Sequence, residues 1–392
     1  MSKLIAYVGR GNVGPKAGGI DVFEIGEGAK TITPLNNGVG EPIYAGFLAY
    51  AKGTKTLYAV DERKDSGRSA NPPTTVMAFK VDPQTAGLSL INKQPTIGSS
   101  CASVCVGPDE KYLFTANHGK FDCVLKAVEN SDGTWSNKFV YDDSTTVQYP
   151  LNADGSIEPA CDCFVFTGHG MDPNSSPQGG GHSQASPHAH IVVVDPSGKF
   201  LLVCEKASEK IYVFRLGGDK LVLASIYQAP LRTGPRHIAF DNNGHAFMTC
   251  EFSSEIWAFS FDSENGILHF VDKKSTVAEG FSGRNELATV QVTPNGKLVY
   301  VNNRGEDTIV CYQIAADGTL TKSFSLPVGK CPADPKDAVR DMQLTPDGKV
   351  LLVPVRPDDV IRAYAVDQET GALTQITEAP VENPVFICLA EL

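Results

Sequence analysis

No stretch of the 392-residue chain approaches the ~20 consecutive apolar residues of a membrane-spanning helix. The apolar run Leu4 to Val8 is too short for the core of a secretion signal, and no small-residue cleavage site follows it. These absences point to a soluble, cytoplasmic protein with no membrane partner. Positive charge is in short supply: Lys and Arg total 34 against 45 Asp and Glu, a formal net charge of −11. A phosphate-backbone binder needs a surplus of Lys and Arg, so nucleic acid is not an expected partner, although a local basic pocket is not excluded. With 42% hydrophobic and 20% charged residues, the composition is that of a globular chain rather than a disordered one.

Several chemical motifs are missing as well. The ten cysteines are scattered, and only Cys161 and Cys163 lie close together. Two cysteines make half a zinc site at best, no CxxC partner exists, and reduced, partly buried thiols are expected. The glycine run at 179–181 lacks the GxxxxGK[ST] frame of a phosphate loop, and there is no GxSxG nucleophile elbow. WD40 and kelch signatures are absent too.

What the chain does have is repetition. Gly 37 and Pro 25 together make about 16% of the residues, above the usual ~12%, which suits many short strands and turns. One segment type recurs seven times: KLIAYVG (3), KTLYAVD (55), KYLFTAN (111), KFLLVCE (199), HAFMTCE (245), KLVYVNN (297) and KVLLVPV (349). A second type follows each: GIDVFEI, TTVMAFK, DCVLKAV, KIYVFRL, EIWAFSF, TIVCYQI and VIRAYAV. A third precedes most copies of the first, as PIYAGFL, CASVCVG, HAHIVVV, RHIAF, ATVQVT and RDMQLT, and its seventh copy is PVFICLA at residue 384. Joints such as GPDEK, DPSGK and TPDGK carry hairpin chemistry, and SENGILHF and ETGALTQ add a fourth strand. The copies at 3 and 349 lie six steps apart, a mean spacing of about 58 residues. Seven four-stranded antiparallel meanders predict an all-β, seven-bladed β-propeller over 1–392 as one domain. The chain opens on a first-type strand lacking its third-type neighbour and ends on a third-type strand. The C-terminal strand is therefore expected to pair with the N-terminal strands and close the ring, leaving no free sheet edge. The irregular stretch 129–187 is expected to cover one mouth of the channel.

In this architecture the third-type strand is innermost. Aligned backwards from the turns, one ring position holds His190, Arg236, Ala288 and Arg340. The ends of the following strands add His118, Glu205, Glu251 and Arg304 to the same mouth. Arginines bind carboxylate or phosphate bidentately and stabilise an oxyanion, while a His and a Glu move protons at neutral pH. Each residue also has a plainer reading. His188 could only cap its strand, and alternation sends His237 to the opposite face as a structural residue. Arg304 and Glu251 could be an ion pair between blades, Arg340 could pair with Asp341 or Asp337, and Glu205 and His118 could be solvated rim residues. His188 and His190 could hold a metal only on a regular strand, so no metal or other cofactor is expected.

The segments SPHAHIVVVDPSGKFLLVCE, GPRHIAFDNNGHAFMTCEFSSEIWAFSFD and VNNRGEDTIVCYQI resemble the seven-bladed lactonase family, which includes propeller-type 6-phosphogluconolactonases and 3-carboxy-cis,cis-muconate cyclases. The resemblance runs from VGRGN to PVFICLA. It implies His190, Arg236, Glu251 and Arg304 as the catalytic set and matches Arg340 to a family arginine; His188, His118 and Arg356 join Arg340 as substrate-binding candidates by their own places in the chain. This chain departs from the family pattern at AVRD, where Val339 replaces proline, at Glu205-Lys206-Ala207, at Val355-Arg356 and at Cys250-Glu251-Phe252. An extra loop, GKCPADPKDA, precedes the seventh inner strand.

Three functions are consistent with these residues. The first is hydrolysis of a sugar-type or carboxylated lactone, with Arg236 and Arg304 on its anionic group and carbonyl oxygen, and His190 and Glu251 as acid and base in either order. The second is cycloisomerisation of the muconate-cyclase kind, for which Arg340 and Arg356 would suit a polycarboxylate. The third is a non-enzymatic interaction scaffold. The expected partner is a small anionic lactone or polycarboxylate, and the expected state is a monomer or weak homo-oligomer.

Overall fold

The computed structural model describes residues 3–12, 17–42, 44–62, 74–121, 123–170, 184–329 and 337–392. The glycine run at 179–181, Cys331 and most of the extra loop at 329–338 lie outside these. Thirty strands are arranged almost wholly in seven four-stranded antiparallel sheets. Blade 1 holds β1 (Leu4–Arg10), β2 (Gly19–Ile25) and β3 (Ile32–Pro34). Blade 2 holds β4 (Ala45–Ala51), β5 (Thr56–Asp61), β6 (Thr75–Val81) and β7 (Leu88–Pro95). Blade 3 begins with β8 (Cys101–Val106) and β9 (Tyr112–Asn117). A hairpin, β10 (Cys123–Glu129) and β11 (Trp135–Tyr141), interrupts it before β12 (Thr145–Pro150) and β13 (Asp162–Val165). Blade 4 holds β14 (Ala189–Val194), β15 (Phe200–Glu205), β16 (Lys210–Arg215) and β17 (Val222–Gln228). Blade 5 holds β18 (Pro235–Phe240), β19 (His245–Cys250), β20 (Glu255–Asp262) and β21 (Ile267–Ser275). Blade 6 holds β22 (Glu286–Val292), β23 (Leu298–Arg304), β24 (Thr308–Ile314) and β25 (Leu320–Pro327). Blade 7 holds β26 (Gln343–Leu344), β27 (Val350–Val355), β28 (Val360–Val366) and β29 (Leu373–Pro380).

The closing strand β30 (Pro384–Glu391) pairs antiparallel with β1, from Leu4↔Glu391 to Arg10↔Pro384. It supplies the innermost strand of blade 1, as the repeat pattern predicts. The inner strands β4, β8, β14, β18, β22, β26 and β30 touch in sequence around the axis, and β30 against β4 completes the circle. Between blades, the second and third strands present alternating apolar faces to their neighbours. Phe200, Leu202 and Cys204 of blade 4, for example, pack with Met248 and Phe259 of blade 5. All nine cysteines among the described residues are free thiols, and Cys101, Cys204, Cys250, Cys311 and Cys388 are buried.

Blade 3 differs from the sequence reading, because the stretch 129–187, expected to cover a channel mouth, supplies two of its strands, β12 and β13. DCVLKAV is not the third strand of blade 3. That role belongs to TTVQYP, whose Thr145–Pro150 pair with Asn117–Tyr112 of β9. The described part of DCVLKAV, from Cys123, instead lies in β10, paired only with β11 in a hairpin that joins no blade among the described residues. Its alternation is that of a two-faced hairpin: Leu125 stands opposite Phe139, and Trp135 opposite Glu129. Leu125, Trp135 and Phe139 are exposed. Blade 7 also departs from expectation, since only Gln343–Leu344 of its inner segment pairs as strand.

These contacts predict opposite outcomes for two excisions. Replacing Cys123–Tyr141 by a short Gly-Ser turn should change the unfolding free energy by less than about 1 kcal/mol, because none of its side chains belongs to a core cluster among the described residues. Deleting β30 should abolish cooperative unfolding, because it opens the ring. Circular-dichroism melts of the two variants check both.

Candidate functional site

The site sits where the inner strands begin, and it depends on a backbone irregularity shared by most of them. In each of six inner strands the pairing register to its neighbour slips near its start. The slips fall between Ala45 and Phe47, Cys101 and Ser103, and Ala189 and Ile191. They recur between Pro235 and His237 and between Leu287 and Val290, and opposite Gly9/Arg10 in β30. Such a bulge inserts an extra residue and re-aims its side chain. The bulged residues include Gly46, Ala102, His190 and Arg236. Ala288 falls within the bulge of β22, and Arg340 holds the matching place before β26. The ring position found by aligning the sequence is thus the bulge position. Small residues there leave room: a Cβ on Gly46 would lie 2.7 Å from the Cβ of Glu62.

A second tier comes from the residue that follows each second strand's pairing with its bulged neighbour. Asp61, Asn117, Glu205, Cys250 and Asn303 pair with the residue just before the bulge. The next residues are Glu62, His118, Lys206, Glu251 and Arg304, with Arg356 at the corresponding end of β27. This corrects one sequence assignment. Lys206, not Glu205, belongs to the mouth. Glu205 is buried as a cap, its Oε1 accepting from the backbone N–H of Ala207 at 2.8 Å and its Oε2 from that of Ser208 at 2.9 Å. The signal that could have found Lys206 is the one-residue offset that each bulge imposes.

Glu251 is the centre of charge. Its Oε1 lies 2.8 Å from Lys206 Nζ. Its Oε2 lies 2.7 Å from Arg236 Nε and 3.3 Å from Arg304 Nη2. Arg304 Nη2 also reaches Glu286 Oε2 at 3.2 Å. All five side chains are buried. The expected Arg304–Glu251 ion pair exists, within a network of three cations. Arg236 Nη1 and Arg304 Nε have no hydrogen-bond partner among the described residues, and Arg236 Nε meets Glu251 off the line of a hydrogen bond. Burial, reinforced by the Arg304 charge and opposed by Glu251, pushes the Arg236 guanidinium down to about 9, so it remains cationic at neutral pH. Burial likewise lowers Lys206, against the pull of Glu251.

His190 stands in the bulge tier beside this cluster. Burial holds its pKa well below the usual histidine range, and the charge of Arg236 adds to the effect. The ring is therefore neutral at pH 7, and its Nδ1 has no hydrogen-bond partner among the described residues. His188 and His118 lie alongside, stacked at 4.3 Å with planes 11° apart. His188 Nδ1 donates to the carbonyl of His118 at 2.8 Å. Phe121 meets both rings edge-on and, with Phe252, lies near the Lys206 ammonium. Among the described residues, no three His, Cys, Asp or Glu side chains gather as a metal site.

The remaining candidates are committed elsewhere. Arg340 pairs with neither Asp341 nor Asp337. It crosses from blade 7 to blade 2, where Glu62 Oε1 is 3.3 Å away and the Tyr44 hydroxyl 3.1 Å. Arg356 is the residue that meets Asp337, at 3.3 Å, and it donates through Nε to Asn383 at 2.6 Å. His237 does not turn away from the axis. The bulge at Arg236 breaks strict alternation, so His237 lines the channel beneath the mouth with Phe47, Thr289, Asp341 and Phe386.

The profile of the family described as "Lactonase, 7-bladed beta-propeller" matches residues 5–389. A 6-phosphogluconolactonase of Bacillus subtilis is 24% identical over 99% of this chain and 98% of its own. Among solved structures, a putative 6-phosphogluconolactonase from Bacteroides uniformis superposes with a TM-score of 0.81 at 25% identity, covering all of both chains. A periplasmic gluconolactonase from Pseudomonas aeruginosa also gives 0.81, at 23% identity over 99% of each chain.

The charge network predicts a large cost for neutralising the carboxylate that Lys206, Arg236 and Arg304 share. Glu251→Gln leaves Lys206 and Arg236 without their carboxylate, beside an Arg304 that keeps only Glu286, and should destabilise the fold by about 3–5 kcal/mol. Urea denaturation of wild type and variant measures it; a difference below about 1 kcal/mol would show that the cations do not depend on Glu251.

Proposed function

The chain belongs to the seven-bladed β-propeller lactonase family, and from that premise we propose that it hydrolyses a lactone at the Arg236–Glu251–Arg304 mouth. The observation that carries the reading is the pair of buried guanidinium nitrogens, Arg236 Nη1 and Arg304 Nε, that have no hydrogen-bond partner among the described residues and stand beside a neutral His190. Donors held in a water-poor site, with no protein acceptor to satisfy them, suit an oxyanion. A neutral imidazole suits removal of a proton from water.

Glu251 is a poor proton carrier in this setting, because both its oxygens are held by cations. His190 then serves twice. It takes a proton as water adds to the carbonyl carbon, while Arg236 and Arg304 hold the oxyanion. It returns that proton to the ring oxygen as the carbon–oxygen bond breaks. Lys206 adds positive charge on the His190 side and favours a substrate with an anionic group. The names of the relatives make gluconolactone and its 6-phosphate the first substrates to try, with carboxylated lactones next. The polycarboxylate cyclisation reading drew on Arg340 and Arg356; each already has a carboxylate partner in Glu62 or Asp337, so hydrolysis is the reading carried forward.

Proton release from a lactone panel, followed with a pH indicator, tests this. Arg236→Ala should lower kcat/KM by roughly 10²–10³-fold and His190→Gln by roughly 10²–10⁴-fold, with melting temperatures showing that both fold. Wild-type rates in both variants would refute the assignment. The pH profile provides a second check. A base whose pKa is lowered in the folded protein loses its function only when pH falls through that lowered value. The acid limb of kcat/KM should therefore lie below pH 6.5, and a limb above 6.5 would exclude His190 as the base.

A further inference from the structure

His190 and His237 stand on adjacent inner strands with ring centroids 5.1 Å apart and planes tilted by 59°. Both rings are more than nine-tenths buried. His190 Nδ1 and His237 Nε2 each lack a hydrogen-bond partner among the described residues. The other His237 nitrogen, Nδ1, faces Thr289 Oγ1 at 3.3 Å, which orients the ring. A buried polar nitrogen without a partner is unfavourable, and a bridging water is the usual remedy. Beneath His237 the channel opens into a cavity of about 430 Å³, lined in part by Thr289, Asp341 and Gln343.

We propose that His237, with a water shared between it and His190, is the exit for the proton that lactone hydrolysis liberates, and that the proton leaves through the central channel. The proposal rests on the lactone-hydrolase reading. In that reaction the water oxygen bonds to the carbonyl carbon and the ring carbon–oxygen bond breaks. One water proton ends on the ring oxygen by way of His190. The other is lost when the new carboxylic acid ionises. On the mouth side that second proton meets the side chains of Lys206, Arg236, Arg304 and Arg340, whose carboxylate partners Glu251 and Glu62 are already engaged, and the product anion lies in the way. The channel side offers acceptors.

The groups around His237 fit a carrier that does not retain a proton. Burial holds its ring neutral, Arg236, Arg340 and Arg304 add to the effect, and Glu251 opposes them. Asp341 stands further along the channel wall and accepts from the Ile387 backbone N–H at 3.0 Å. Burial pushes its carboxyl up to about 7, against the pull of Arg236 and Arg340, so it exchanges protons near neutrality.

His237→Gln keeps a polar side chain next to Thr289 but carries no proton. It should lower kcat at least about 10-fold with little change in KM, and added imidazole buffer should restore the rate. An unchanged kcat, or a fall that buffer does not rescue, would overturn the proposal. Histidine ¹⁵N spectra of the wild-type protein test the water bridge without relying on turnover or on folding of the variant. His190 Nδ1 and His237 Nε2 should both show hydrogen-bonded shifts. Bare-acceptor shifts at both would overturn the bridge, whereas bridged nitrogens in a protein inactive on every lactone would fault the lactone-hydrolase reading instead.

Discussion

The structure at the mouth depends on a single carboxylate. Glu251 is the only anion in contact with all of Lys206, Arg236 and Arg304 among the described residues, and it is buried with them. Without it, three cations drawn from three blades would repel one another in a poorly solvated space. With it, the cations are held close, yet two guanidinium nitrogens are left without partners among the described residues. That surplus makes a local anion site in a chain whose overall charge is −11. On the proposed reading, it also takes Glu251 out of proton transfer and assigns that work to His190.

The backbone supplies the geometry. Regular alternation would put Arg236 and His237 on opposite faces, and His190 opposite Ile191. The bulges break alternation at the same place in six inner strands. Consecutive residues then serve two levels, with Arg236 joining the charged mouth and His237 lining the channel below it. Blade symmetry explains why one device recurs, and the residue chosen at each copy decides its use. Gly46 and Ala102 keep the mouth open, and His190, Arg236 and Arg340 fill it with chemistry. Arg340 ties blade 7 to blade 2 across blade 1, so the closing strand β30 sits under a charged strap as well as in a sheet.

Much of this was legible in the sequence, for identifiable reasons. Seven copies of an apolar strand between Gly- and Asp-rich turns leave few alternatives to a propeller, and the unpaired third-type strand at residue 384 foretold closure. His190, Arg236, Glu251 and Arg304 were found by their ring positions, and the structure brings them together. The failures share a cause: periodicity gives spacing but not partners. DCVLKAV has the look of a blade strand, yet its pairing with β11 takes it out of the blade, and only the register of TTVQYP on β9 reveals that. Lys206 was passed over for Glu205 because a bulge shifts the register by one residue, which no apolar pattern records. The partner of Arg340 lies 278 positions away, at Glu62, beyond any local cue.

The central claim is that the Glu251-ordered arginines and His190 add water to a lactone carbonyl. The most direct test is mass spectrometry of the product formed by the purified protein in ¹⁸O-labelled water. The account predicts that one labelled oxygen enters the product carboxylate, at a rate far above the spontaneous reaction and lost in Arg236→Ala. A product that is an unlabelled isomer of the lactone, or labelling no faster than in protein-free buffer across the whole panel, would contradict it.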